Sequence, residues 1–164
     1  HSHDGARWFE GVALSSALLA VIAAVAALMA GHHSNEAFIE QIQSSDRWSY
    51  YQAKGIKSSV LSSKVQLLKE LGKKVSADDI EKIDQYKADQ EDISSEAKEK
   101  EKRAENHLTI HSTFAKAVTF FQIAIAVAAI SVLVRRRRFW MVSLGFGAIG
   151  LIFFVLGLLG SIGK

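Results

Sequence analysis

The stretch GVALSSALLAVIAAVAALMA, residues 11–30, decides the fold of this chain because it contains no charged residue. As an α-helix, a run of about twenty residues extends about 30 Å, which is the thickness of the hydrocarbon core of a bilayer. A signal peptide is the competing interpretation, since the run is rich in alanine, but the apolar part of a signal peptide is usually shorter. The stretch therefore predicts a first membrane-spanning helix.

Two further uncharged runs, residues 117–134 and 139–160, lie towards the C-terminal end of the sequence. They are separated only by four consecutive arginines, Arg135, Arg136, Arg137 and Arg138. So short a connection predicts that the second and third spans form a tight membrane hairpin. The chain contains no proline, whereas average usage would give about eight, and this absence favours long, uninterrupted helices.

The arginine cluster at 135–138 predicts the orientation of all three spans, because positively charged loops of membrane proteins stay preferentially in the cytoplasm. Residues 1–10 then form a cytoplasmic tail, and residues 31–116 and 161–164 lie on the opposite side. In a bacterium with two membranes that side is the periplasm, and the protein is expected in the inner membrane. Since the sequence begins with His1, we expect the native chain to begin earlier, with a purification remnant as the alternative for His1 and His3.

The composition excludes several classes of function. The chain has no cysteine, so disulfide and thiolate chemistry are absent. The net charge is +3, but residues 32–116 carry 14 basic and 15 acidic residues, so the positive charge is concentrated in the arginine loop. Nucleic-acid-binding proteins usually spread basic residues along one face, which this sequence does not do. No nucleophile–base pair or cofactor-binding loop is recognisable, and we expect a protein that is not an enzyme.

The region 31–116 is predicted to form an extramembrane hairpin of two helices. Gly72 suits the position just after a helix C-terminus. Ser76 and Asp79 have the spacing of a helix-capping box. These signals predict a turn at about 72–76, with antiparallel arms pairing residues whose numbers sum to about 150.

Each arm carries residues at alternating steps of three and four, which is the spacing of a coiled-coil seam. The predicted seam of the first arm contains Ile39, Ile42, Asp46, Ser49, Ala53, Ile56, Val60, Ser63 and Leu67. The predicted seam of the second arm contains Ile83, Tyr86, Gln90, Ile93, Ala97, Lys100, Ala104, His107, His111, Phe114 and Val118. Both seams are diluted with polar and small residues, so a hairpin of this kind buries little surface. We therefore expect several hairpins to pack together, or a partner to cover them.

Histidines and acidic residues are concentrated at the predicted membrane boundary. With the pairing expected above, His111 falls opposite Ile39, with Glu36 and Glu40 a turn or less away. Facing helices of bundles build metal sites from carboxylate and imidazole side chains placed in this way. The candidate ligands for Zn²⁺ or a similar divalent metal are Glu36, Glu40, His107 and His111, with His32 and His33 joining from a neighbouring subunit. Two other interpretations stay open: ordinary polar contacts at the membrane interface, and packing that responds to pH through histidine.

Three smaller features bear on contacts. Trp48, Tyr50 and Tyr51 form an aromatic cluster that is a candidate contact for a partner or for a neighbouring hairpin. Gly55 in mid-helix indicates a bend or a close approach of another group. The first and third spans are rich in alanine and glycine, which allow helices to pack closely within a bilayer.

Two motifs in this sequence resemble an uncharacterised bacterial membrane family, domain of unknown function 4337. The family's G-H-H-x-N-E-A motif is matched by Gly31 to Ala37, and its W-x-[YF]-[YF]-Q-A-K-[GS]-I-K motif is matched by Trp48 to Lys57. The resemblance covers nearly the whole chain. It implies a small envelope protein with three spans, but no reaction, substrate or cofactor. It draws attention to His32, His33, Asn35, Glu36, Trp48, Tyr51, Gln52 and Lys54.

The sequence thus predicts an all-α integral membrane protein with three transmembrane helices and an antiparallel coiled-coil hairpin between the first and the second. The favoured function is a non-enzymatic, self-associating structural or assembly component of the envelope, in contact with membrane lipid. One alternative is an accessory subunit of a larger membrane complex. Another is a metal- or pH-responsive oligomeric channel gated at the histidine-rich membrane boundary.

Overall fold

The computed structural model describes residues 2–163, with side chains described from residue 7 onward. This part of the chain is entirely helical, with no strand: α1 spans Ser2–Glu70, α2 spans Ala77–Val134 and α3 spans Arg137–Ile162. Each helix contains a segment long and apolar enough to cross a membrane. The predictions for His1 and Lys164 lie outside the described residues. Residues 2–10, predicted as a tail, belong to α1.

The chain divides into two compact units. The first, which we call the three-helix unit, is formed by the described residues of His1–Glu36 and Asn106–Lys164. The second, which we call the hairpin unit, is formed by Ala37–Glu105. The three predicted spans fall in the three-helix unit.

The turn of the hairpin unit is built around Gly72. Its φ of +67° lies in the left-handed region that glycine adopts without strain. The amide of Gly72 donates to the Lys69 carbonyl at 3.1 Å, and that of Lys73 donates to the Leu68 carbonyl at 2.9 Å. This pair of bonds is a Schellman motif, which satisfies the free carbonyls at the end of α1. The sequence-predicted turn at 72–76 thus falls within the break between α1 and α2.

The first turn of α2 is tied to α1 by an ion pair. Helix α2 begins at Ala77, which places Asp79 in its first turn, where a carboxylate interacts favourably with the helix dipole. The Asp79 carboxylate lies 2.8 Å from Lys64 Nζ of α1.

The second break separates α2 from α3. Arg135 has a φ of +53°, and Arg136 is extended and precedes the first residue of α3. Arg137 and Arg138 therefore belong to the helix, so α3 begins two residues before the predicted span at 139. The guanidinium of Arg137 lies 5.8 Å from the ring centre of Trp140, within the range of a cation–π contact.

Phenylalanine rings against glycines hold the three-helix unit together. Phe114 and Phe121 of α2 are completely buried, next to Ala23, Ala26 and Ala30 of α1. On α3, a Cβ added at Gly150 would lie 2.8 Å from the Phe121 ring, and one added at Gly157 would lie 2.8 Å from the Phe114 ring. Only glycine leaves room for each ring at these two positions.

In the hairpin unit, the seam predicted on α2 faces inward. Ile83, Ile93, Ala97 and Ala104 are buried, and Tyr86, Gln90 and Lys100 are partly buried.

The seam predicted on α1 is wrong, because every one of its nine residues is exposed. The residues that face inward instead include Ala37, Ser44, Ser58 and Val65. The reason is close packing. Ser44 is completely buried and its hydroxyl donates to the Ala97 carbonyl at 3.1 Å, an approach that isoleucine side chains at the contact would prevent.

The pairing of the two arms also differs from the expected one. The ion pairs Lys64–Asp79, Lys54–Asp89 and Arg47–Glu96 each join residues whose numbers sum to 143, against the predicted 150. The difference is one heptad, so the inward face of α2 is unchanged while its partners on α1 shift by two turns.

We expect Gly157→Ala to destabilise the three-helix unit by about 1–3 kcal/mol, the usual cost of overpacking. The new methyl group would press on Phe114, which is enclosed and cannot move aside. Unfolding by a denaturing detergent, followed by circular dichroism, measures this cost. Gly145→Ala is the matched control on the same helix, because a Cβ there meets no atom within 4 Å. Equal stability of the two variants would contradict the packing described here.

Candidate functional site

A buried histidine connects all three helices of the three-helix unit. His33 of α1 is only 6% exposed. Its Nδ1 lies 2.9 Å from Nδ1 of His107 on α2, and its Nε2 lies 2.9 Å from Oγ of Ser161 on α3. We call these three residues the histidine clasp. His33 and Ser161 lie just after the first and third apolar runs, and His107 lies ten residues before the second, all on the side away from the arginine cluster.

The hydroxyl of Ser161 determines that Nε2 of His33 acts as a hydrogen-bond donor. Ser161 Oγ donates its single hydrogen to the Gly157 carbonyl at 3.0 Å. It therefore accepts from His33, so Nε2 of His33 carries a hydrogen. One further proton lies between the two facing Nδ1 atoms and completes the connection between α1 and α2.

The neighbouring histidines have different roles. His111 Nδ1 donates to the Ala30 carbonyl at 2.8 Å and adds a second bond between α2 and α1. His32 is exposed, and its ring stands edge-on to that of His33 with 5.4 Å between centres. One face of the His33 ring has an apolar neighbour, because it stacks on the ring of Phe114.

Of the two acidic residues predicted to join the histidines, Glu40 lies elsewhere. Glu40 belongs to the hairpin unit, where its carboxylate lies 3.5 Å from Lys100 Nζ and 3.8 Å from the Arg103 guanidinium. Glu36 is partly exposed and belongs to the three-helix unit. Over residues 7–163 no group of three or more His, Asp or Glu side chains is arranged to hold a metal ion. Divalent metal binding stays a prediction that rests on the sequence.

The sequence singled out His33 and His107 as candidate metal ligands, with His33 expected from a neighbouring subunit, whereas the two histidines meet within one chain. Ser161 was not among the candidates. A signal was available, because Ser161 directly follows the third apolar run, just as His33 follows the first. Polar residues at the same membrane boundary lie at the same depth, and this alone would have grouped them.

The aromatic cluster is divided between the inside and the outside of the hairpin unit. Trp48 Nε1 donates to the Glu101 carboxylate at 2.8 Å, and the Trp48 ring meets Tyr51 edge-on. Both residues are partly buried, whereas Tyr50 is exposed. A partner approaching this surface would therefore meet Tyr50 first.

Lys54 is the most heavily engaged cation of the hairpin unit. Its Nζ lies 2.6 Å from the Asp89 carboxylate and between the rings of Tyr50 and Tyr86, at 5.4 and 5.1 Å from their centres. The hydrogen bond to Asp89 raises the pKa of Lys54 above its ordinary value.

Gly55, next to Lys54, accommodates another side chain of the same unit. A Cβ added there would lie 2.8 Å from the side-chain amide of Gln90. That amide donates to the Tyr51 carbonyl at 3.3 Å. Of the two expectations for Gly55, the close approach is confirmed.

Nine of the exposed residues of α1 in the hairpin unit form a stripe with apolar residues at both ends, which we call the outer stripe. It consists of Ile39, Ile42, Asp46, Ser49, Ala53, Ile56, Val60, Ser63 and Leu67. Its five large apolar side chains are 48–66% exposed. They repeat at heptad spacing, and Asp46 is the single charged member. A face of this kind is suited to pairing with another helix.

The comparisons with known proteins give one result. The sequence model of the family described as "Domain of unknown function (DUF4337)" matches residues 8–160. Neither the curated proteins nor the solved structures gave a significant match.

We expect His33→Ala to destabilise the three-helix unit, because it removes a hydrogen bond to each of the other two helices and the stacking on Phe114. The expected cost is about 1–3 kcal/mol, the range for a buried polar partner left unpaired. Detergent-induced unfolding measures it. His32→Ala, at the adjacent exposed position, should change stability by no more than about 0.5 kcal/mol. A His33→Ala effect as small as that of the control would show that the clasp does not hold the helices.

Proposed function

This chain belongs to the DUF4337 family, and we propose that it is a self-associating membrane protein with a structural or assembly role in the bacterial envelope. The proposed role is not enzymatic. The three apolar segments anchor the chain in the inner membrane, and the hairpin unit extends outside it, where copies of the chain meet.

The outer stripe is the observation that carries this proposal. On α1, the hairpin unit turns mainly small residues and Val65 inward and leaves Ile56, Val60 and Leu67 exposed. Burying one such side chain is worth about 1.5–3 kcal/mol. Several of them at heptad spacing give a helix pair a substantial driving force, which the hairpin does not use within one chain.

We also propose an orientation for the chain. The four arginines at 135–138 support a cytoplasmic connection between α2 and α3. The N-terminal end of α1 is then cytoplasmic, and the hairpin unit lies in the periplasm. The basic cluster thereby also anchors the protein at the inner surface of the membrane.

We expect Ile56→Lys to weaken self-association at least tenfold, because it places a charge in the middle of the outer stripe. Energy transfer between labelled copies in lipid vesicles measures the dissociation constant. Ile80→Lys is the matched control, since Ile80 is also an exposed isoleucine of the hairpin unit but lies on α2. Self-association that is equally strong in both variants would contradict a role for the outer stripe. A wild-type protein that stays monomeric in vesicles would contradict the proposed function itself.

We expect a cysteine introduced as Ala77→Cys to react with a membrane-impermeant reagent in intact spheroplasts, because the turn of the hairpin then faces outward. The chain has no native cysteine, so the label reports this position alone. Arg135→Cys, which keeps three arginines of the cluster, should react only after the membrane is permeabilised. The reverse labelling pattern would overturn the orientation.

A further inference from the structure

We infer that the outer stripe pairs with the outer stripe of a second copy, with the two α1 helices parallel and in register. This inference rests on the self-association proposed above and names its surface and its partner.

The direction follows from the membrane. All copies of a protein insert into a bilayer with the same orientation. In the sequence, the first arm of the hairpin directly follows the first apolar run. The first arms of neighbouring copies consequently start from the same membrane surface, which favours parallel over antiparallel pairing.

The centre of the stripe has the pattern of a parallel coiled coil. Heptad position a is occupied by Ile39, Asp46, Ala53, Val60 and Leu67, and position d by Ile42, Ser49, Ile56 and Ser63. In a parallel pair, each a and d residue meets its own counterpart in the other helix. The six apolar residues of the stripe then face their apolar counterparts, and Asp46, Ser49 and Ser63 face their own copies.

The edges of the stripe agree with this direction. In a parallel pair a residue at position g meets the residue at position e of the next heptad in the partner. The resulting pairs are Phe38 with Gln43, Ser45 with Tyr50, Gln52 with Lys57, Ser59 with Lys64, and Gln66 with Leu71. None joins two like charges. In an antiparallel pair position e faces position e, which would bring the lysines at 57 and 64 of one copy towards those of the other.

The second arm of a neighbouring copy is a poorer partner for the stripe. Residues 77–105 carry 11 acidic and 6 basic residues. Most of these lie on the exposed face, where Ile80 is the only large apolar side chain. A surface of this kind cannot exclude water from the isoleucines of the stripe. The stripe itself is the complementary apolar surface that every copy supplies.

Asp46 is the one unfavourable residue in this arrangement. Two Asp46 carboxylates meet at position a, where a polar residue lowers stability and fixes the register. This gives the inference a direct test, because removal of the repulsion must strengthen the pair. We expect Asp46→Leu to tighten self-association of the full-length protein in vesicles at least tenfold. Unchanged or weaker association would overturn the pairing, and would indicate that Asp46 faces a cation instead.

Disulfide trapping tests the register. In the cysteine-free chain, Ser49→Cys and Ser63→Cys place a thiol at position d, where parallel, in-register helices bring the two Cβ atoms within reach of a disulfide. Ser95→Cys, an exposed serine of the second arm, is the matched control. Under mild oxidation of membranes holding the full-length protein, we expect the first two to form cross-linked dimers at least tenfold faster than the control.

The outcomes separate this inference from the proposed function. Cross-linking of Ser49→Cys and Ser63→Cys no faster than that of Ser95→Cys, in a protein that still associates in vesicles, overturns the pairing and leaves self-association standing. A protein that neither cross-links nor associates overturns both. All three substitutions are at exposed positions, so loss of folding does not explain a negative result, and circular dichroism of each variant checks this directly.

Discussion

Close contact between helices through small residues is the constraint on which the rest of this structure depends. Within a bilayer the hydrophobic effect does not drive helices together, so they associate where small side chains let them approach. The glycines of α3 admit the rings of Phe114 and Phe121, and the alanines of α1 close the other side. The hairpin unit follows the same rule in Ser44, Ala97 and Ala104.

This way of packing leaves many leucines and isoleucines on the outside, with different consequences in the two units. Around the three-helix unit, leucines and isoleucines on the outside suit lipid. The hairpin unit carries a balanced set of charges, as expected for a region in water. There, the isoleucines at positions 39, 42 and 56 face water instead of lipid, and only another polypeptide could bury them. Association of copies would bury these side chains, which the single hairpin leaves exposed to water.

Sequence patterns predicted the parts of the fold that depend on local chemistry. The uncharged runs located the apolar helix segments, and Gly72 located the turn because its positive φ favours glycine. The inward face of α1 could not be read in the same way. Two faces of α1 compete for the inside of the hairpin, and the choice depends on how closely the partner helix can approach. The pairing of the arms is also shifted by one heptad, and Glu40 lies against Lys100 and Arg103. His33 and His107 were singled out as candidates but in different subunits, so their contact within one chain, like the contact with Ser161, required the geometry of all three helices.

A native mass spectrum of the wild-type protein, gently extracted from its own membranes, tests the central claim most directly. We propose that the apolar surface left outside the hairpin is covered by further copies of the same chain. We therefore expect a discrete oligomer whose mass is a whole multiple of the chain mass. A monomer, or a single copy bound to a different polypeptide, would contradict it.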